Sequence, residues 1–125
     1  MNKELILHTI QISKVRLLPS DVKVIDTTVM TGNLAFAPSW DMVHGVKDGS
    51  LSKEGYTTRY QAMMKESQIS FKKEWDNLMQ YKKIALACYC RANVFCHRHL
   101  LKDLIIQYLD KDDYEIHDAG EYEPV

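Results

Sequence analysis

The chain has 125 residues, of which 46% are hydrophobic and 26% are charged, and its formal net charge is -1. These values are typical of one globular domain, and the near-neutral charge argues against nucleic acid or a membrane surface as the main partner. The sequence has no apolar run long enough for a membrane span and no continuous apolar signal segment. Its three cysteines lie close together and do not resemble a disulfide framework. We therefore expect a cytoplasmic protein in a reducing compartment.

Strand and helix patterns alternate along the first part of the chain. Aliphatic and β-branched residues predict strands at 5–12 and 22–26. Apolar residues at helical spacing then predict three helical segments, at 40–47, 52–67 and 70–80.

The second part of the chain repeats this alternation. An unbroken apolar run at 84–90 predicts a third strand that is buried on both faces. Helical spacing follows at 94–109, with Asn93 as the predicted N-cap, and a last short strand is predicted at 114–117. Because strands and helices alternate, the sequence predicts one α/β domain over residues 1–125. Its expected architecture is a small open, mostly parallel sheet with helices on both faces.

The turn between the third strand and the following helix carries most of the reactive side chains. All three cysteines, two of the five histidines and two arginines lie within or beside it. A buried strand that leads into a helix N-terminus places free backbone N–H groups at one sheet edge, where anions bind. Asp26, Thr27 and Thr28 follow the second strand and should reach the same edge. The sequence therefore predicts a ligand site at this turn, residues 90–98.

Several motifs in this order are those of a known family. A strand that ends in a Cys-x-Cys pair is followed by Cys-His-Arg at a helix start, here residues 96–98. An aspartate follows the second strand, Ala-Pro-Ser-Trp stands at 37–40, and Gly-Glu stands at 120–121 near the C-terminus. Over residues 5–121 the chain resembles the bacterial and phage proteins of the DUF488 family (domain of unknown function 488).

The resemblance implies the α/β fold, and it places Glu121 in the same cleft as the turn. It implies no particular activity, because the family is catalogued without one. One position departs from the family pattern. The family usually has an arginine directly after the aspartate, whereas this chain has Thr27 and Thr28.

The cysteines and histidines of the turn allow two kinds of chemistry. Three cysteines and His97 could form a tetrahedral zinc site, whereas His97 and His99 point apart on a helix and cannot share one ion. Free thiols also pack as small apolar residues, and on that basis we expect no stoichiometric metal and no cofactor. Cys96 is a candidate nucleophile if the helix begins at Val94, but the cysteine–arginine spacing of tyrosine phosphatases is absent.

Anion binding is the interpretation that the sequence favours. Backbone amides of 91–95, the positive helix end and the guanidinium of Arg91 together suit a phosphate. Arg98 either joins this site or lies on a solvated helix face. The predicted ligand-binding residues are Asp26, Thr27, Thr28, Trp40, Cys90, Arg91, Asn93, Cys96, His97, Arg98 and Glu121.

The aromatic residues divide between the core and the site. Trp75 and Phe71 are predicted to be core residues, and the helix that carries Tyr56 and Tyr60 is predicted to turn them inward. Trp40 follows a Pro-Ser turn and either packs in the core or stacks on a base.

Three functional hypotheses from different classes remain open. The first, which we favour, is a small cytoplasmic protein that binds a nucleotide-like ligand, for example a phage protein that sequesters a signalling nucleotide in conflict with its host. The second is an enzyme that cleaves a glycosidic or phosphoester bond of a nucleotide, with Asp26, His97 or Glu121 as acid or base. The third is a non-catalytic partner-binding protein whose cysteines are buried or hold zinc. A homo-oligomer is compatible with each.

Overall fold

The computed structural model describes residues 4–90, 95–110 and 114–123. Within these residues the structure has four strands, four α-helices and two short 3-10 helices. In chain order these elements are β1 (Glu4–Gln11), a 3-10 helix (Ile12–Leu17), β2 (Lys23–Asp26), α1 (Trp40–Asp48), α2 (Lys53–Ser70), α3 (Lys72–Asn77), a 3-10 helix (Leu78–Gln80), β3 (Lys83–Cys88), α4 (His97–Leu109) and β4 (Glu115–Glu121).

The four strands form one parallel sheet in the order β2-β3-β1-β4. The connections β2→β3 and β3→β4 cross the sheet in one direction, and β1→β2 crosses it in the other. Because parallel crossovers are right-handed, the first two connections lie on one face and the third on the opposite face. The prediction of an α/β fold with a parallel sheet is confirmed, and so is the central position of β3 between β1 and β2.

The two faces of the sheet are covered unequally. Side chains of α1, α2, α3 and α4 join Leu5, Leu7, Ile84 and Leu86 of the strands in one large apolar core. On the other face, Ile10, Ala85 and Ala87 are covered by the 3-10 helix Ile12–Leu17 and the loop after it. Since β3 is buried on both faces, it needs apolar residues at successive positions, which is the run seen in the sequence.

Two predicted boundaries around the central turn are wrong. Strand β3 ends at Cys88 and not at residue 90, because its last partners are Gln11 of β1 and Asp26 of β2. Helix α4 begins at His97 and not at Val94, and Cys96 is its N-cap residue. The backbone of Cys96 is extended, with φ of -154° and ψ of 147°, so Cys96 cannot lie in the first turn. Asn93, the predicted N-cap, lies outside the described residues.

Two other expectations also need correction. The last strand is Glu115–Glu121, longer than the predicted 114–117, because a bulge with Gly120 at a φ of 71° carries it past a polar stretch that resembles a turn. Phe71 is 40% exposed and not a core residue, since it lies at the break between α2 and α3. Trp75 occupies the core instead, as predicted, and so do Tyr56 and Tyr60.

Candidate functional site

A cavity of about 380 Å³ lies at the carboxyl edge of the sheet, next to the ends of β2 and β3. This volume falls near the lower end of the range of roughly 300–1,000 Å³ in which small-molecule sites occur. Most of the lining side chains are apolar or aromatic, and they come from the loop after β2, from α1 and α2, and from the segments on either side of the central turn. The described lining residues are Thr28, Val29, Met30, Pro38, Trp40, Val43, Val46, Lys47, Tyr56, Cys88, Tyr89, Cys90, Phe95, Cys96 and His97.

A cluster of two thiols and one imidazole borders this cavity. Cys88 is the last residue of β3, Cys96 is the N-cap residue of α4, and His97 is the first residue of that helix. Nδ1 of His97 lies 3.8 Å from Sγ of Cys88 and 3.7 Å from Sγ of Cys96. All three residues are buried, with exposed fractions of 4–5%. The strand end and the helix start therefore bring three metal-ligating atoms within 4.8 Å of one another.

The opposite ring nitrogen of His97 fixes the tautomer of the imidazole. Nε2 lies 2.7 Å from the backbone oxygen of Thr27 and 3.0 Å from the Thr27 hydroxyl. A carbonyl oxygen can only accept, so Nε2 carries a proton and donates it to Thr27. In the neutral ring Nδ1 is then an unprotonated acceptor that faces both sulfurs.

Thr27 is itself held by the neighbouring strand. Its backbone N–H donates to the oxygen of Ala87 at 3.0 Å, and its hydroxyl donates to the same oxygen at 2.8 Å. Both bonds extend the β2–β3 pairing by one residue past Asp26. The sheet therefore fixes the carbonyl that orients the His97 ring.

The third cysteine, Cys90, lies half-buried in the same cavity wall. Hydrogen bonds from the thiols of Cys88 and Cys96 lower the pKa of Cys90 to about 3, with help from the positive charges of Arg98 and Lys47 and against the effect of burial. The same interactions with Cys88 and Cys90, together with burial, raise the pKa of Cys96. The three sulfurs thus form one interacting group, in which a charge on any one of them affects the other two.

Asp26 shapes the loop that forms one wall of the cavity. Its carboxylate accepts a hydrogen bond from the backbone N–H of Thr28 at 2.9 Å and another from the Thr31 hydroxyl at 2.6 Å. Burial alone would raise the pKa of Asp26, but these hydrogen bonds outweigh it and lower the pKa. Gly32 is needed here, since a Cβ would stand 2.4–2.6 Å from backbone atoms of Asp26 and Thr28. Asp26 therefore holds the loop and is not among the described residues that line the cavity.

A buried ion pair lies on the other side of α4. The guanidinium of Arg98 donates to both carboxylate oxygens of Glu121, at 3.2 and 3.0 Å, and to the backbone oxygen of Cys90 at 2.9 Å. Thr9 donates to Glu121 at 2.7 Å. Arg98 has no exposed surface, so it does not lie on a solvated helix face. Its charge is compensated by β4.

The structure brings part of the predicted ligand set into one place. Thr28, Trp40, Cys90, Cys96 and His97 line the cavity. Four other predicted residues are not part of the described lining: Asp26, Thr27, Arg98 and Glu121. Arg91 and Asn93 lie outside the described residues.

Sequence reasoning missed several lining residues. Lys47, Tyr89 and Phe95 line the cavity without having been predicted to do so. Tyr56 was predicted to pack inward, which it does, but its ring also reaches the cavity. The positions of Tyr89 and Phe95 on either side of the turn were a usable signal, because a turn that holds a ligand needs flanking side chains.

The fold and this site define a small parallel α/β protein with a thiol–imidazole cluster at the carboxyl edge of its sheet. A family model described as the active DUF488-N3 subclade matches residues 3–109, and the chain therefore belongs to the DUF488 family. No curated protein and no solved structure matched the chain. Among the described residues, no helix has both the length and the apolar character needed to cross a membrane.

Proposed function

We propose that this protein binds a nucleotide-like ligand in the cavity at the carboxyl edge of its sheet. The observation that carries the proposal is the combination of aromatic walls with a lysine among the described lining residues of a cavity of about 380 Å³. Open parallel sheets bind ligands at this edge, in the crevice outside the strand ends. An apolar pocket with a few polar groups is also the usual form of a small-molecule site.

The aromatic side chains suit a planar base. Trp40 is 47% exposed and its ring stacks on that of His44, with 5.5 Å between the ring centroids. This stacking holds the indole in place before any ligand arrives, which lowers the entropy that binding costs. Tyr89 is also exposed on the cavity wall. A base between such side chains gains stacking energy whatever its identity.

The anionic part of the ligand needs a positive partner in the same cavity. Lys47 is the cation among the described lining residues, and it lies in the last turn of α1. Cys96 and His97 at the start of α4 also line the cavity, so the positive end of that helix faces it. We assign the phosphate to the space between Lys47 and the first residues of α4.

Calorimetry with a panel of nucleoside monophosphates, triphosphates and cyclic dinucleotides tests the proposal. Lys47→Gln should weaken the tightest ligand roughly ten- to a hundredfold, as expected for the loss of one charge-assisted contact. Lys65→Gln is the matched control, because Lys65 is an exposed α2 lysine that is not among the described lining residues. Equal affinities for both variants, or no binding in the millimolar range, would contradict the proposal.

Tryptophan fluorescence provides a second readout on the same samples. The chain has two tryptophans, and Trp75 is fully buried in the core. Ligand binding should therefore change the emission of Trp40 and leave that of Trp75 constant. In Trp40→Phe the fluorescence change should disappear while calorimetry still detects binding. A change that persists in this variant would place the ligand elsewhere.

The biological setting that we propose is a cytoplasmic phage protein that sequesters a signalling nucleotide of its host. In that role binding is sufficient. A homo-oligomer is also proposed, since Leu34 and Phe71 expose apolar surface at a second, shallow groove away from the cavity. Native mass spectrometry of freshly purified protein reports subunit number and any retained nucleotide together.

Turnover of the bound nucleotide is the second candidate function. The observation that favours it is the description of the matched subclade as active. Of the three acid–base candidates, His97 is the one that lines the cavity, whereas the carboxylates of Asp26 and Glu121 accept hydrogen bonds within the protein. Chromatography of each bound nucleotide after long incubation decides the question. Release of a free base or phosphate that is lost in His97→Gln supports an enzyme, and intact ligand supports a binding protein.

A further inference from the structure

The geometry points to a metal site: we propose that Cys88, Cys96 and His97 bind one Zn²⁺, whose fourth coordination position opens onto the cavity. This inference departs from the sequence-based expectation of no metal. It is independent of the proposed nucleotide, because it concerns the floor of the cavity and its test uses metal ions alone.

The distances between the three residues match those that a tetrahedral ion needs. With Zn–S bonds of about 2.3 Å and Zn–N bonds of about 2.0–2.1 Å, a sulfur and a nitrogen on one ion stand roughly 3.6 Å apart. The two sulfur–nitrogen distances here are 3.8 and 3.7 Å. Both sulfurs therefore lie within a few tenths of an ångström of the distance from Nδ1 that a shared ion requires, and all three atoms lie within 4.8 Å of one another.

The chemistry of the three converging atoms also suits a metal ion. Nδ1 of His97 has one lone pair, and the sulfurs of two cysteines approach it at nearly the same distance. Three donor atoms that converge on one point are what a metal ion requires, and thiolate with imidazole is a ligand set that suits zinc.

The outer contacts of His97 are also those of a metal ligand. A ligating histidine usually donates its other N–H to a carboxylate or backbone carbonyl, which fixes the ring and its tautomer. Nε2 of His97 does so to the Thr27 carbonyl at 2.7 Å, and the sheet holds that carbonyl in place. The ring is therefore pre-oriented with Nδ1 toward the two sulfurs.

The fourth position faces the cavity because all three ligands line it. Three protein ligands with an open position are the arrangement of catalytic zinc sites, whereas structural sites have four. A water molecule or an anionic group of a bound ligand can occupy that position. Cys90 lines the same cavity, and we do not assign it as a required ligand.

Titration of chelator-stripped protein with Co²⁺ under reducing conditions tests the site. Wild-type protein should bind one Co²⁺ with the thiolate charge-transfer and intense visible bands of a tetrahedral site, and one equivalent of Zn²⁺ should abolish them. Cys96→Ser and His97→Gln should lose about a hundredfold or more in affinity, at the upper end of the effect of removing an outer contact. Circular dichroism verifies that these variants are folded. If they are not folded, the stoichiometry and the spectrum of the wild-type protein decide whether the site binds a metal ion.

Two variants serve as controls. His99→Gln changes the histidine that follows Arg98 on α4, and this histidine is not in the cluster. The variant should bind Co²⁺ as the wild type does. Cys90→Ser should also retain one tetrahedral Co²⁺. The proposal is overturned if wild-type protein shows no 1:1 thiolate spectrum, or if the spectrum survives in Cys96→Ser and His97→Gln. Loss of binding in Cys90→Ser would overturn the open three-residue site in favour of a closed one.

Discussion

His97 and Arg98 are neighbours in the chain, yet they belong to two different buried polar clusters at the same edge of the sheet. Arg98 pairs with Glu121 of β4, so that a buried cation meets a carboxylate at 3.0 Å. His97 meets two thiols at the floor of a cavity. Since consecutive helical residues point about 100° apart, one helix start serves both clusters.

The two clusters differ in how their polar atoms are satisfied, and we infer different roles for them. In the Arg98 cluster opposite charges pair with each other, and Thr9 and the oxygen of Cys90 take part in the network. This cluster ties β4, an edge strand, to β1 and α4. The His97 cluster instead brings three metal-ligating atoms together at the border of the cavity. We therefore assign stability to the first cluster and binding to the second.

Loss of the Glu121 charge should have the largest effect. Glu121→Gln removes the carboxylate charge that pairs with the buried guanidinium of Arg98, and breaking a buried pair in this way typically costs about 3–5 kcal/mol. Urea denaturation should show this as a lower midpoint. The double variant Arg98→Met with Glu121→Leu removes both charges and should recover most of the loss. If Glu121→Gln were as stable as the wild type, the ion pair would not stabilise the attachment of β4 to the rest of the fold.

Zinc should stabilise the protein through the other cluster alone. A ligand present at about a hundredfold over its Kd raises the free energy of unfolding by about 2.7 kcal/mol. The wild type and Glu121→Gln should both gain this stability in denaturant titrations with Zn²⁺, whereas Cys96→Ser should not. Equal gains in all three proteins would mean that Zn²⁺ binds elsewhere, and the two clusters would no longer differ in function.

The sequence indicated the cysteines and histidine of the His97 cluster, although Cys88 was not among the predicted ligand-binding residues, and it did not pair Arg98 with Glu121. Cys88, Cys96 and His97 lie within ten positions, so a strand followed by a helix was enough to bring them together. Arg98 and Glu121 lie 23 residues apart, and their contact depends on the register of β4 against β1, including its bulge. Sequence patterns do not set that register, because side chains on an edge strand alternate only weakly.

The fold was predicted for the same kind of reason, whereas the boundaries around the central turn were not. Strand β3 is apolar at every buried position, which identifies a central parallel strand without knowledge of its partners. The start of α4 depends instead on the extended backbone of Cys96, which the identity of that residue does not dictate. Lys47 was missed because it is a single lysine at a helix end, and only the position of α1 turns it toward the cavity.

Removal of the Trp40 side chain should weaken nucleotide binding by a smaller amount. Base–aromatic stacking is worth about 1–3 kcal/mol, so Trp40→Ala should raise the Kd roughly five- to 150-fold in calorimetry. Phe71→Ala is the control, because Phe71 is an exposed aromatic that lines a different groove. Glu121→Gln and the double variant of Arg98 and Glu121 should keep the wild-type Kd when they are measured under conditions in which they remain folded. Equal losses of affinity in Trp40→Ala and Phe71→Ala would show that the ligand does not bind in the cavity.

The smallest effect that we expect is a pH dependence of stability that arises from His8 on β1. His8 precedes Thr9 on β1, its Nδ1 is buried, and that atom has no hydrogen-bond partner among the described residues. Burial, and to a lesser extent the positive charge of Lys83, lower the pKa of His8 from its usual 6.5. Below about pH 6.5 the unfolded chain therefore binds a proton that the folded protein resists, so stability falls as the pH falls. The melting temperature of the wild type should decrease between about pH 7.5 and pH 5.5, which bracket the ordinary histidine pKa, and the decrease should be smaller in His8→Gln. His117→Gln is the matched control, since His117 is an exposed histidine on β4. An equal decrease in all three proteins would show that His8 is not the group responsible.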